Sequence, residues 1–197
     1  MQRAVMIYTE TSPNPNSMKF VLNFEIVPDG LNFDYPNRLS TMEEGKDSPL
    51  ASGLFQFPYV QRVFLSANYI TLTKDDATDW GDVIFDTKQF IKIHFDENQP
   101  VFTSQTMEKN TLIVETNDSE VVSKIKTVLD QYVRPAVETD GGAISFASFD
   151  EITGLVQVHL QGSCSGCPSS TQTLKLGIEN LLTRMVPEVK TVEAFGV

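Results

Sequence analysis

The sequence GSCSGCPSS, at residues 162–170, lies between a predicted strand and a predicted helix. Gly162 and Gly166 allow a tight backbone path on which the sulfurs of Cys164 and Cys167 can point to one side. Pro168 suits the first turn of the helix, because it has no backbone N–H to donate. The helix N-terminus then places unpaired N–H groups and a positive dipole end beside the sulfurs. Both features favour the thiolate, which is the form that binds metals.

The elements around this loop predict the order α-β-β-α-β, an open sheet with two helices over one face. In chain order they are a helix from residue 117, strands over 143–149 and 155–160, a helix over about 169–185 and a strand over 189–195. Asn117 and Glu120 form a variant capping box at the start of the first helix. Pro135 is expected to end or kink that helix, and 140–142 is a predicted turn.

Each helix of this segment has an apolar face at helical spacing. The first face comprises Val121, Val122, Ile125, Val128, Leu129 and Tyr132, and the second comprises Leu174, Ile178, Leu181 and Met185. In the strand before the loop, Val156, Val158 and Leu160 face one way, whereas Gln157 and His159 face the other.

The segment up to about residue 95 also predicts mixed helices and strands. Strands are expected over 4–9 and 18–24, and a hairpin over 62–65 and 69–73. Ser48 is a predicted N-cap, with Pro49 at the first helical position. The clearest helix has one face formed by Trp80, Val83, Ile84, Thr87, Phe90, Ile91 and His94. We therefore expect two small α+β domains, at 1–95 and 116–197, joined by a linker over 96–115.

Charge and hydropathy exclude several classes of function. The 197 residues include 15 Lys and Arg against 26 Asp and Glu, for a net charge of −11. Such a surface repels phosphate backbones and anionic lipids, so neither nucleic acids nor membranes are expected partners. No apolar run is long enough to span a bilayer. Residues 1–10 resemble neither a signal peptide nor a presequence, so we expect a cytoplasmic protein, with a mature form in the mitochondrial matrix as the alternative.

The two cysteines are three positions apart, and this spacing alone leaves three functions open: cluster binding, thiol–disulfide exchange and zinc binding. A cubane cluster takes four thiolates and would therefore need two chains. Zinc also takes four ligands, so it would need two chains or recruited histidines. Thioredoxin-type chemistry expects a parallel βαβ unit, and the predicted antiparallel hairpin before the loop counts against it.

The histidines and the hydroxyl residues suggest no further site. His159 lies five residues before Cys164 on the polar face of a strand and is expected to be exposed rather than a ligand. His94 ends an amphipathic helix, where a cation favours the dipole. We find no Ser/His/Asp arrangement and no phosphate-binding glycine loop, and we expect a protein that is not an enzyme.

Residues 162–170 and the continuation TLKLGIE at 173–179 resemble the NifU-like C-terminal domain of the Nfu iron–sulfur scaffold proteins. Residues 133–135 and 140–142 resemble that domain's signature between its first helix and first strand. The first half resembles the N-terminal domain of Nfu proteins at 11–20, at 48–51 and in the strand 70–74 before the Trp80 helix.

The resemblance implies a scaffold or carrier that binds a 4Fe–4S cluster between two subunits through Cys164 and Cys167. It further implies transfer of that cluster to apo iron–sulfur proteins, supply by upstream assembly factors, and an N-terminal domain that recognises partners. The expected partners are therefore a second copy of the chain, apo-proteins and assembly factors.

Overall fold

The computed structural model describes residues 4–43, 47–104, 106, 118–165 and 168–196, with the backbone alone described at 168–171. The chain divides into two compact units, Met1–Val114 and Glu115–Val197. Each unit combines helices with a sheet, so the predicted α+β class is confirmed. Within the described ranges, no helix is both long and apolar enough to cross a membrane.

Antiparallel pairing builds the sheet of the first unit. Its elements are β1 (Ile7–Thr11), β2 (Ser17–Leu22), β3 (Asn32–Tyr35), a 3-10 helix (Arg38–Met42), α1 (Pro49–Leu54), β4 (Val60–Ser66), β5 (Tyr69–Lys74) and α2 (Trp80–Asp96). The described strands lie in the order β1-β2-β5-β4-β3. The predicted hairpin is confirmed as β4 and β5, and Ala67 takes a φ of 40° at its turn. The first two strands are shifted from prediction, since β1 starts at Ile7 and β2 ends at Leu22.

The helices of the first unit pack on one face of this sheet. Phe20, Ile70 and Leu65 stand side by side on neighbouring strands. They share one buried cluster with Leu54 of α1 and Ile91 of α2. The predicted inner face of α2 is confirmed, because every member is either buried or packed against this cluster.

Residues that follow α2 pack on the first unit. Phe102 is buried, and its ring lies 4.2 Å from that of Phe33 between centroids. Thr106 Oγ1 donates to the carbonyl oxygen of Asp47 at 3.0 Å. The predicted linker over 96–115 therefore begins with packed residues, and its full extent stays a prediction because 105 and 107–117 lie outside the described residues.

Ser48 joins α1 to this packed segment. Its hydroxyl accepts a hydrogen bond from the Ala51 N–H at 3.1 Å, which confirms the predicted N-cap. The same hydroxyl donates to the carbonyl oxygen of Val101 at 2.5 Å, and the residue is fully buried. One side chain thus satisfies a helix end and a buried backbone carbonyl.

We expect Ser48→Ala to destabilise the first unit by about 2 kcal/mol, because it removes a helix cap and leaves a buried carbonyl without its donor. The chain's one tryptophan, Trp80, lies in this unit and reports its urea unfolding by fluorescence. Ser52→Ala, inside the same helix, is the matched control and should change stability little. Equal unfolding midpoints for the two variants would contradict this role of Ser48.

His94 is a core residue rather than an exposed cation at a helix end. It is 8% exposed, and its Nε2 lies 3.1 Å from the carbonyl oxygen of Pro100. Burial lowers the pKa of His94, and the backbone carbonyl of Pro100 opposes this change only in part. The neutral imidazole with its proton on Nε2 fits this environment, so the expected dipole role is wrong.

The first unit should therefore lose stability as the pH falls from 7 to about 5.5, because unfolded His94 titrates near 6.5 and binds the proton that the folded site disfavours. His94→Gln keeps a donor for the Pro100 carbonyl but cannot titrate. The free energy of unfolding of the first unit, followed by Trp80 fluorescence, should therefore change less over this pH range in His94→Gln than in the parent chain. A parent chain with constant stability over the same range would contradict the prediction.

The second unit has the predicted α-β-β-α-β order, with its first helix in three parts. Its elements are α3 (Glu120–Val128), a π-helical turn (Leu129–Val133), α4 (Arg134–Thr139), β6 (Gly142–Asp150), β7 (Leu155–Gly162), α5 (Pro168–Met185) and β8 (Thr191–Gly196). As predicted, Val156, Val158 and Leu160 are buried, and they belong to the cluster that the helices cover. The cap at Asn117 is wrong: Ser119 caps α3 by accepting from the Val122 N–H. Asn117 itself lies outside the described residues.

The π-helical turn moves the buried face of the first helix by one residue. The N–H of Arg134 reaches back five residues to the Leu129 carbonyl, whereas an α-helix reaches back four. As a result Val133 is buried and Tyr132 is 55% exposed, which corrects the predicted face. Pro135 does not end the helix, because it lies in the first turn of α4, where an N–H is dispensable.

The buried face of α5 also differs from the predicted one. Ile178 and Leu182 are buried, whereas Met185 is 42% exposed. Leu174 and Leu181 pack against the core as half-buried residues. The stripe therefore continues through Leu182 rather than Met185.

Candidate metal-binding loop

The cysteine loop occupies a crossover between parallel strands. β7 pairs antiparallel with β6 but parallel with β8, and the loop and α5 connect β7 to β8. This is a βαβ unit. The predicted argument against thioredoxin-type chemistry is therefore wrong, because an antiparallel neighbour on one edge does not exclude a parallel one on the other.

The backbone at the start of the loop turns sharply. Gly162 has a φ of 64°, in the left-handed region that favours glycine, which confirms its predicted role in a tight path. The N–H of Ser165 donates to the carbonyl oxygen of Gly162 at 3.1 Å and closes the turn. Gly166 and Cys167 lie outside the described residues. α5 begins at Pro168, one residue before the predicted start, and Pro168 lies in its first turn as predicted.

Ser163 ties the loop to the turn that precedes β6. Its hydroxyl donates to the carbonyl oxygen of Asp140 at 2.5 Å, and its N–H lies 3.4 Å from the carbonyl oxygen of Gly141. Gly141 has a φ of 82°, so the predicted turn at 140–142 also uses a left-handed glycine. The two turns are held together through backbone carbonyls.

Cys164 points into the second unit. It is 7% exposed and belongs to the buried cluster that includes Ile144 and Leu160. Burial raises the pKa of the Cys164 thiol to about 11, and Ser163, whose hydroxyl lies 3.9 Å from the sulfur, offsets this only partly. The expected preference for the thiolate is not met at Cys164 in this position, because burial outweighs polar neighbours.

Two glycines make room for the loop. A Cβ added to Gly142 would lie 2.7 Å from Cys164 Sγ and 2.6 Å from the carbonyl oxygen of Gln161. A Cβ added to Gly196 would lie 2.7 Å from Ser165 Oγ. The sequence analysis placed Gly142 in a turn without this contact, and nothing in the local pattern around Gly196 indicated one. Both contacts join residues far apart in the chain.

His159 and Cys164 lie on opposite sides of the sheet. Along β7 the residues alternate, and Val158 and Leu160 are the ones that share the cluster with Cys164. His159 faces the other way, beside Ser145 and Phe195 on the neighbouring strands. His159 is half-buried rather than exposed as expected, and the expectation that it is not a ligand stays a prediction. Among the described residues, no group of three or more His, Cys, Asp or Glu side chains is arranged for a metal ion.

Glu179 is a supporting residue that the sequence analysis missed. Its carboxylate accepts a hydrogen bond from the Val192 N–H at 2.9 Å, which fastens α5 to β8. The residue falls on α5 next to buried Ile178, but helical spacing alone does not show that a surface carboxylate reaches a strand. Glu179 thereby helps to fix the helix that follows the cysteine loop.

Two families of known proteins match this chain, one in each half. The "NifU-like domain" family matches residues 125–193, and the "Scaffold protein Nfu/NifU N terminal" family matches residues 7–98. NifU-like protein 5, mitochondrial, from Arabidopsis thaliana is 41% identical over 194 residues, which cover 98% of this chain and 68% of that protein. The chain belongs to the NifU-like (Nfu) family. The resemblance stated from the motifs is thus confirmed.

A further relative and a solved structure also match parts of the chain. The NFU1 iron-sulfur cluster scaffold homolog, mitochondrial, from Drosophila willistoni is 38% identical over 192 residues, 98% of this chain and 64% of that protein. The chain thus spans about two thirds of the length of these two relatives. A solution structure of a NifU-like protein from Saccharomyces cerevisiae is 22% identical with a TM-score of 0.45, covering 52% of this chain and 88% of that one. The proteins from Arabidopsis thaliana and Drosophila willistoni are both named as mitochondrial.

We expect Gly162→Ala to destabilise the second unit by about 1–2 kcal/mol, because an L side chain opposes the left-handed backbone. Gly162→Asn should cost less, since asparagine tolerates this region. Amide hydrogen exchange in β6 and β7 measures the effect locally. Gly177→Ala is the control: Gly177 lies in α5 with open space around it, and this change should stabilise the helix. Equal protection in Gly162→Ala and the parent chain would contradict the strain.

Proposed function

We propose that this NifU-like protein is a scaffold and carrier for iron–sulfur clusters. Two copies of the chain hold one 4Fe–4S cluster through Cys164 and Cys167 of each, and they pass it to apo iron–sulfur proteins. Membership of the NifU-like family, in which a relative is named an iron–sulfur cluster scaffold homolog, carries this proposal. The cluster is cargo, and we do not propose a catalytic reaction.

The chemistry of the thiols supports a shared cluster. The chain contains two cysteines in total, whereas a cubane cluster takes four thiolates. A second copy supplies the remaining two. A cluster between chains is exposed and able to leave, which suits delivery better than permanent electron transfer.

The residues around the loop have supporting roles in this proposal. Gly162 turns the backbone, and Ser163 fastens the loop to the Asp140 carbonyl. α5 starts directly after the second cysteine, so its N-terminal dipole end favours thiolate ligands. We further propose a mitochondrial location, because the relatives from Arabidopsis thaliana and Drosophila willistoni are both named as mitochondrial.

Thiol–disulfide exchange is a second candidate, favoured by the parallel βαβ unit around the loop. Its nucleophile would need a lowered thiol pKa. Burial instead raises the pKa of Cys164, so this thiol would have to become exposed before it could act as the nucleophile. Reduction of insulin disulfides by the metal-free monomer at a rate comparable with thioredoxin would favour the second candidate.

Anaerobic reconstitution with iron and sulfide tests the scaffold proposal. We expect about four irons and four sulfides per pair of chains, with Mössbauer spectra of a cubane cluster. Cys164→Ala and Cys167→Ala should each abolish stable loading, because half the ligands of a shared cluster disappear. Ser145→Ala, an exposed residue of β6, is the control and should load normally.

The oligomeric state and the metal content separate the remaining outcomes. The loaded protein should run as a dimer in size-exclusion chromatography, and the unloaded double cysteine variant should not dimerise in response to iron and sulfide. A loaded monomer, or full loading of both single variants, would refute the shared site. Protein purified without oxygen that contains zinc rather than iron would instead support a zinc-bridged dimer.

A further inference from the structure

We infer that the position of Cys164 in this structure is a stowed one, in which the chain shields its own thiol, and that the loop must release the side chain before metal can bind. Gly142 provides the space for the stowed sulfur, and Ser163 holds the loop closed. The release step rests on the proposed function, whereas the stowed position itself does not.

The first observation is the fit between Cys164 and Gly142. The sulfur occupies the volume that a side chain at position 142 would fill, since a Cβ there would approach Sγ to 2.7 Å. Gly142 pairs with Gly162 across β6 and β7, so strand pairing fixes Gly142 and the residue two positions before Cys164. Because its φ is not in the left-handed region, the absence of a side chain at 142 serves close approach rather than the turn. It accommodates both Cys164 Sγ and the carbonyl oxygen of Gln161, which a Cβ would meet at 2.6 Å.

The second observation is that the residues on both sides of Cys164 are held by hydrogen bonds and packing. The Ser163 hydroxyl donates a hydrogen bond to the Asp140 carbonyl oxygen, and the Ser165 N–H donates one to the Gly162 carbonyl oxygen. Ser165 is 9% exposed and its hydroxyl packs against Gly196. The residues before and after the cysteine are therefore anchored to three different parts of the unit.

The third observation is the direction of the thiol. Cys164 is 7% exposed and lies in the apolar cluster of its own unit. A ligand that shares a cluster with a second chain has to reach the surface between the chains. The stowed sulfur does not, so loading requires the loop to open at the Ser163 contact. In the closed loop the thiol is shielded from oxidants, because exposure is a condition of cysteine oxidation.

Alkylation of the unloaded protein by iodoacetamide tests the stowed position. The background is Cys167→Ser, in which Cys164 is the one thiol left in the chain. The protection factor is the labelling rate of this chain in concentrated urea divided by the labelling rate of the folded chain at the same pH. We expect protection of about a hundredfold or more, as for a group that reacts only after local opening.

Two further variants in this background identify what holds the thiol. Ser163→Ala should lower the protection about fivefold, the change expected from one hydrogen bond, with circular dichroism unchanged. Gly142→Ala should lower it by more than about tenfold, since the added methyl group and the sulfur cannot share the same space. The matched controls are Ser145→Ala on the exposed side of β6 and Gly177→Ala in open space on α5, and neither should lower protection.

The inference is overturned if Cys164 of the folded chain is labelled as fast as in urea. It is equally overturned if Ser163→Ala leaves the protection unchanged. If Gly142→Ala fails to fold, as circular dichroism will show, the Ser163→Ala result decides alone.

Iron and sulfide are absent from this labelling experiment, so it is independent of the reconstitution. Protected labelling with no cluster on reconstitution would refute the scaffold and leave the stowed thiol standing. Unprotected labelling together with normal cluster loading would refute the stowed thiol and leave the scaffold proposal standing.

Discussion

The close approach of Cys164 to Gly142 is the contact on which the cysteine loop depends. It lies where β6 begins and β7 ends, and it exists because residue 142 has no side chain. The Ser163 hydroxyl reaches Asp140 only because the strands already hold these two turns together. Strand pairing thus brings the ends of the loop together, and the left-handed Gly141 and Gly162 and the Cys164 contact set its geometry.

Burial controls the chemistry of the thiol. The N-terminus of α5 would stabilise a thiolate nearby, but a group surrounded by its own core loses the hydration that a charge needs. The resulting high pKa of Cys164 belongs to the closed loop. A carrier benefits from such a closed form, because an unloaded thiol that is exposed and charged is the kind that oxidants attack.

The first unit is stabilised in a different way, with buried polar groups at the ends of its helices. Ser48 satisfies both α1 and the Val101 carbonyl, and the neutral His94 lies at hydrogen-bonding distance from the Pro100 carbonyl at the end of α2. These contacts fasten the residues after α2 onto the unit, together with the packing of Phe102 on Phe33. The segment that leads towards the second unit thus starts from an anchored position.

The amino-acid sequence determined the element order, most helix faces, the family motifs and the loop between β7 and α5. These features follow from local periodicity, capping and turn residues, which act between near neighbours in the chain. Tertiary structure alone decided the parallel pairing of β8, the burial of Cys164, the exposure of Tyr132 and the burial of His94. Each of these depends on contacts between distant residues or on a π-helical turn that shifts the helix register. A pattern of near neighbours contains no information about which distant group fills the adjacent space.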